Sequence, residues 1–447
     1  MEVLKFGGSS VSSEVSLKNM LKIVNNYDLE NEPLIIVVSA LKGVTNELVA
    51  LTKLLKDGDQ EYAKVIRTIF EKHKEFINII FKEEQSELLK KIKLVENDLL
   101  ESVSNIIKNG VTSDKDYDKV LSFGELFSAQ IITAFLNKNR LNFCFKDSRD
   151  LIITNNVHMK AKVNWDLTRT VVNSFFSGNK NSYVVSGFIA RSIYGDTTTL
   201  GRGGSDYTAT VLGAILNAEK VTKWTDVNGI MTADPNKVLE ASSLENITFS
   251  ELKNLSKFGS NVLVHPNSID ELSKHNIPFL IRNTFDRDFK GTQVINENSS
   301  NKKALSLHES CCLVGFNNTA KVPKEFIKQI IEKDWLFFRV KRPQSKDKSY
   351  YVVSEECVNF FKSNIKANNN DVDILNEEMV LITITGENMD KKKEVNKIQE
   401  KLKSNDINLI EFRRFYNSIS LILDNKDLKK AVVLLHEVIK NDEILFV

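Results

Sequence analysis

The chain of 447 residues has only 18 glycines, six histidines and four cysteines. Each shortage closes off a class of explanation. The cysteines form no C-x-x-C pair, and Cys311 and Cys312 are adjacent. That is too thin for a disulfide scaffold, and reduced thiols in a cytoplasmic protein are expected. The histidines are scattered without H-E-x-x-H or comparable zinc spacing. Net charge is +2, with acids and bases interleaved, so neither nucleic acid nor an anionic membrane is expected as a partner. One short basic cluster, Lys341, Arg342, Lys346 and Lys348, is broken by Asp347 and reads as a solvated loop. The start MEVLKFGGSS lacks the basic and apolar regions of a signal peptide. No apolar run approaches the roughly 18 residues of a membrane helix. The P-loop pattern and G-x-G-x-x-G are also absent, so a phosphate site would need another design.

What is present is an ordinary globular composition, 42% hydrophobic and 27% charged, over a length that calls for more than one domain. Up to about residue 298 the pattern alternates. EVLKF, PLIIVVSA, NSYVVSGFIA and KVTKWTDV read as strands, the apolar runs as buried parallel ones. Helical spacing fills VSSEVSLKNMLKIVNNY, residues 46 to 108, FGELFSAQIITAFLNKN and SDYTATVLGAILNA. This order predicts an α/β layer around a mostly parallel sheet. The polar NENSSNKK then reads as a linker, and KANNNDVD as a short break. Residues 376–440 follow a β-α-β-β-α order, most of a ferredoxin-like unit. Residues 303–375 would form a second such unit, completed by 441–447.

Glycine is concentrated where chemistry would need it. KFGGSS, VVSALKGVTN and TTTLGRGGSDYTA each follow a candidate strand, where glycine lets a backbone approach a ligand. Helices opening after them would aim free N–H groups at an anion. Lys5 ends the first strand and would reach phosphoryl oxygens as a point charge; otherwise it is a surface lysine. Arg202 in the glycine cluster suits a carboxylate. Asp206 would hold an ammonium or orient an attacking group, or else is a first-turn acid. Glu125, read near the start of a helix, has the same two readings. In WTDVNGIMTADP, Asp226 and Asp234 are candidate nucleotide or metal contacts, or plain turn residues.

Together KFGGSSV, SALKGVTN, SFGELFSAQ, TTTLGRGGSDYTA and WTDVNGIMTADP, in this order, make the chain resemble the aspartate kinases of the amino-acid kinase family. The resemblance implies an α/β three-layer sandwich over residues 1–298, followed by two ferredoxin-like (ACT) α+β domains, one threaded within the other. It implies ATP with Mg2+ and phosphorylation of the side-chain carboxylate of L-aspartate, at the entry to lysine, threonine and methionine synthesis. By the same resemblance Lys5 would stabilise the transferring phosphoryl group, with Gly7, Gly8 and Ser9 at the phosphates. Ser39, Thr45, Gly203 and Ser205 fall at the substrate. Arg202 would take the α-carboxylate, and Glu125 and Asp206 the ammonium. Thr225, Asp226, Met231 and Asp234 fall on nucleotide-loop positions. A homodimer or higher homo-oligomer and an amino-acid effector, lysine or threonine, are further implications.

Three departures stand out. FGSNVLVHP, residues 258 to 266, has no lysine where the family has one; Lys257 just before it is the candidate substitute. Met231 stands where an aromatic residue is common. Residues 303 to 370 lack a clear glycine-rich effector turn, which leaves feedback inhibition open. Two other functions compete: a kinase acting on glutamate or acetylglutamate, and a non-catalytic amino-acid sensor.

Overall fold

The computed structural model describes residues 1–82, 86–110, 112–259, 264, 266–296, 303–317, 322, 324–332, 335–340, 348–364 and 372–441. These fall into two compact units: Met1–Gly229 with Asn267–Gln293, and Ile230–Pro266 with Val294–Val447.

The first unit is built on short apolar strands that pair in parallel, in the order β3-β5-β2-β1-β8 followed by strand Phe279–Asn283. They are β1 (Glu2–Phe6), β2 (Leu34–Val38), β3 (Phe143–Lys146), β5 (Ser182–Ser186) and β8 (Val221–Thr225). A small sheet of β4 (Ile153–Thr154), β6 (Ile189–Ser192) and β7 (Thr197–Thr199) lies in the same unit. The helices are α1 (Glu14–Val24), α2 (Val44–Asp57), α3 (Tyr62–Phe81), α4 (Ser86–Asn109), α5 (Asp114–Lys138), α6 (Trp165–Phe176) and α7 (Gly204–Ile215), together with Pro266–Lys274, which belongs to this unit from Asn267 on.

Strand pleating sends alternate side chains to opposite faces. Leu4, Phe6, Ile36 and Val38 share one buried cluster with residues of α1 to α5. Val3, Lys5, Ile35 and Val37, also buried, face the other way, and α7 packs on β1 and β2. α5 is long and apolar enough to match a membrane span by composition. That corrects the expectation that no segment reaches this length. It is a core helix, with almost every residue from Val120 to Leu136 buried.

The second unit holds a 6-stranded antiparallel sheet, ordered Phe337–Val340, Lys348–Ser354, Ala304–Asn317, Val372–Thr385, Ser418–Asp424, Leu409–Phe415. The two central strands run 14 residues each, and each serves two βαββαβ modules. Their pairing slips between His308 and Cys311. Beyond the slip, Cys312, Val314 and Phe316 pack with Ile330, Val353 and Phe361. Before it, Leu305 and Leu307 pack with Val380, Ile382, Ile398, Leu421 and Leu435.

One module is threaded within the other, with bounds that differ from the expected 303–375 and 376–440. Residues 304–308 pair with 381–385 and complete the later module, so the earlier one is an insertion within it. Residues 372–376 pair with 313–316 in the earlier module; of the expected closing segment 441–447, residues 442–447 lie outside the described residues. So do most of the linker, Lys341, Arg342 and Lys346, and much of KANNNDVD and FGSNVLVHP. Residues 230–266, expected within the catalytic domain, join the second unit because Ala233 and Val238 are buried in its core. Thr232 ties this stretch down: its hydroxyl lies 2.9 Å from His436 Nε2 and accepts the Ser242 N–H.

One core group gives the first unit a pH response. His73 on α3 donates its Nδ1–H to the Ile69 carbonyl at 2.7 Å, and its ring lies 4.5 Å from that of Phe127. Burial pushes its pKa down to about 4, so it is neutral when folded, while the unfolded chain takes up a proton near about pH 6.5. Its contribution to stability is present above that pH and is lost as the pH falls toward 4. The urea midpoint should drop across this window, and His73→Phe should show a smaller drop than the wild type.

Candidate active site

Helix capping separates the helices that close on themselves from those left open. α1, α5 and α6 are capped by the side chains of Ser13, Ser113 and Asn164. α2 and α7 instead begin at Gly43 and Gly203, both left-handed (φ 88° and 71°) and with no side-chain cap. The Val44 and Gly204 N–H groups donate to the Leu41 and Gly201 carbonyls at 3.0 Å, and each helix turns the positive end of its dipole toward the turn before it. These two helices flank one cavity of ≈ 430 Å³ in the first unit, beside the C-terminal ends of β1 and β2. In parallel sheets ligands bind at that edge.

The cavity gathers the expected substrate residues: Lys5, Ser39, Thr45, Glu125, Arg202, Gly203, Ser205 and Asp206. Lys5 and Asp206 are buried and joined, with Nζ to Oδ1 at 2.7 Å. Arg202 is exposed at the rim. The Gly8 turn runs so close to the next loop that a Cβ there would meet the Ala40 carbonyl at 2.8 Å. Ser12 fastens the two turns by donating to the Gly8 carbonyl and accepting the Lys42 N–H. Gly7 continues the ladder, its N–H donating to Trp224 at 3.2 Å. Gly7, Gly8 and Ser9 thus form a partly open backbone surface next to the Lys5 ammonium.

Glu125 sits in the middle of α5, not near a helix start; the first-turn reading is corrected because α5 begins eleven residues earlier, at Asp114. Its Oε1 accepts the Ala40 N–H at 3.3 Å, while Oε2 is buried without a hydrogen-bond partner. Burial pushes this carboxyl up to about 8, so it holds a proton at neutral pH. A buried carboxyl with an unused oxygen in a cavity is poised for a cation.

Two residues escaped the sequence reading. Lys223 of β8 is buried, and its Nζ lies 2.6 Å from Asp206 Oδ2. Burial alone would raise the Asp206 carboxyl, but the Lys223 and Lys5 ammoniums outweigh it and hold the pKa below its usual value. Asp118 of α5 is fully buried; it accepts from Thr199 Oγ1 at 2.6 Å and from the Met159 N–H at 3.0 Å, with His158 Nδ1 at 3.0 Å. It thereby fixes Met159 and Lys160 in the cavity wall. No local motif marks it, since its partners lie far off in sequence.

The nucleotide candidates are dispersed. In the first unit Thr225 ends β8 and donates to Asp226 Oδ1 at 3.2 Å; Asp226 itself is exposed. In the second unit Met231 bridges to Ser243, and Asp234 accepts the Asn236 N–H at 2.9 Å, a turn role. Lys257 is exposed, with Nζ 5.4 Å from the ring centre of Phe258. Among the described residues no group of three or more His, Cys, Asp or Glu is placed to hold a metal.

Asp118→Ala would strand the Met159 and Thr199 donors, at a cost of about 1–3 kcal/mol. Thermal unfolding should shift down accordingly, and proteolysis within 155–162 should become faster than in the wild type.

The amino acid kinase family model matches residues 1–283. A bifunctional aspartokinase/homoserine dehydrogenase of Daucus carota is 33% identical over 66% of this chain and 32% of its own length. The chain thus spans about a third of such bifunctional relatives. The aspartokinase of Chlamydia pneumoniae is 29% identical over 90% of this chain and 89% of its own. Among solved structures, E. coli aspartokinase III in complex with aspartate and ADP superposes with a TM-score of 0.82 at 23% identity, covering 98% of this chain and 99% of that one. The same enzyme with lysine and aspartate gives 0.77 at 22% identity, with coverages of 98% and 99%. By the extent of the family match and the fold that accompanies it, the chain belongs to the amino acid kinase family.

Proposed function

We propose that the chain is an aspartate kinase, transferring the γ-phosphoryl group of ATP to the side-chain carboxylate of L-aspartate to give 4-phospho-L-aspartate. The observation that carries this reading is the charge layout of the cavity. The Lys5–Asp206 pair lines it, beside exposed Arg202 and the unpartnered oxygen of Glu125. That set offers a cation for an α-carboxylate, an acid for an ammonium, and a lysine for a phosphoryl group. Aspartokinase relatives and the aspartate-bound E. coli structure favour aspartate among such ligands.

In the reaction, an oxygen of the substrate carboxylate forms a bond to the γ-phosphorus while the bond to the β-phosphate oxygen breaks. The carboxylate is already ionised near neutral pH, so no general base is needed. Arg202 and Glu125 would orient the amino acid, and Lys5 would meet the growing charge on the phosphoryl oxygens. The close-packed Gly7–Gly8 turn fits a polyphosphate. A magnesium ion would neutralise phosphate charge; exposed Asp226 at the end of β8 offers one carboxylate, phosphates and water the rest.

The same reading includes an amino-acid effector at the second unit's modules, a homo-oligomeric state, a place in lysine, threonine and methionine synthesis, and a cytoplasmic setting suited to four free cysteines. Lysine bound to the related E. coli enzyme favours such an effector.

With ATP, magnesium and hydroxylamine, L-aspartate should yield the aspartyl hydroxamate, and glutamate and acetylglutamate should not; no hydroxamate at saturation would refute the proposal. Lys5→Ala and Asp206→Ala should each lower kcat by about 100-fold or more. Glu125 must shed its proton to pair with an ammonium. The aspartate KM should therefore fall as pH rises toward about 8, and Glu125→Gln should flatten that dependence.

A further inference from the structure

Lys223 belongs to no motif read from the sequence, yet it is built into the centre of the site. β1 and β8 are neighbours in parallel register, with Lys5 directly opposite Lys223. Opposed residues on adjacent strands project from the same face. Both ammoniums end on Asp206 in the first turn of α7: Lys5 on Oδ1 at 2.7 Å and Lys223 on Oδ2 at 2.6 Å. The carboxylate thus spaces two ammoniums side by side, beside the turn that follows Lys5.

The charge balance of this triad is unusual for a buried cluster. Lys5, Lys223 and Asp206 are 7%, 8% and 6% exposed, with two positive charges against one negative. Glu125 in the same cavity does not offset the excess, because burial keeps it protonated near neutral pH. Burial pulls the Lys223 pKa below its usual value, Asp206 opposes that pull, Lys5 adds to it, and exposed Asp226 contributes least. One lysine would have sufficed to satisfy Asp206. Burying a second ammonium costs desolvation, which an uncompensated cluster does not recover. The cost is recovered when an anion arrives.

We propose that Lys223 is a second lysine of the phosphoryl-transfer site, held beside Lys5 by Asp206 so that the two ammoniums together meet the charge that develops on the transferring phosphoryl group. The inference rests on the kinase reading. Lys223 is the group whose contribution is largest when the phosphoryl group is in flight, since a fixed ammonium in a low-dielectric site needs no reorganisation at that moment.

The test compares wild type, Lys223→Met and Lys223→Arg in the hydroxamate assay. Wild-type hydroxamate formation establishes the kinase reading separately, since its absence overturns that reading whatever the variants do. With the wild type active, Lys223→Met should lower kcat by about 100-fold with KM for aspartate and ATP nearly unchanged. Lys223→Arg, which keeps the charge, should recover at least about ten-fold of that loss. Calorimetric titration gives a readout besides turnover. Lys223→Met should bind MgADP like the wild type but lose affinity for MgADP with aluminium fluoride, a mimic of the transferring phosphoryl group. Equal loss for both ligands, or a kcat within about three-fold of wild type, would overturn the proposal and leave Lys223 a packing residue. If Lys223→Met shows no cooperative melt, the same comparisons are read on Lys223→Gln, with the same outcomes deciding.

Discussion

The site depends on one carboxylate. Asp206 holds two buried ammoniums, one from each of two adjacent central strands, and everything else is arranged around keeping it ionised. Its place in the first turn of α7 puts the helix dipole on its side. Gly203 gives up a side-chain cap so that the loop can turn left-handed directly before it. The result is a rigid positive face assembled from β1, β8 and α7 rather than from mobile loops. A site that must stabilise charge during transfer gains from such preorganisation, because dipoles already in place need not be reoriented.

Around this centre the two carboxyls are tuned in opposite directions by the same burial. Asp206, with ammoniums on both oxygens, is held below its ordinary range. Glu125, with one N–H and an idle oxygen, is pushed up to about 8. Environment rather than residue type therefore divides the roles. One carboxyl stays ionised between two lysines, and the other holds its proton with one oxygen unpartnered.

The sequence made the glycine-marked part of the site legible. Lys5, Arg202 and Asp206 stand near glycines that close backbone approach or a left-handed turn explains, and their motifs carry the family resemblance. Glu125 was legible as a residue but not in position, because α5 begins well before the motif that contains it. Lys223 was hidden because a lysine within KVTKWT looks like the polar side of an alternating strand; only the pairing of β1 with β8 places it opposite Lys5. Asp118 was hidden because its partners lie between 40 and 81 residues away. The bounds of the two threaded modules were hidden for a similar reason. The pairing of 304–308 with 381–385 is non-local, and no hydrophobic period distinguishes it from closure by the C-terminus.

The stretch from Ile230 to Pro266 has a consequence for how such a chain can be inherited. It leaves the first unit, contributes Ala233 and Val238 to the core of the second, and returns as Asn267. The second unit is thus not a tail that recombination could append or discard at one junction. A gene cut at the apparent linker would encode a catalytic half carrying apolar side chains with nothing to cover them, a liability for solubility. Any ancestor that lacked the second half must have closed this stretch in another way. Gain of the modules and reshaping of the loop after Asp226 would then have had to proceed together, through intermediates that still folded.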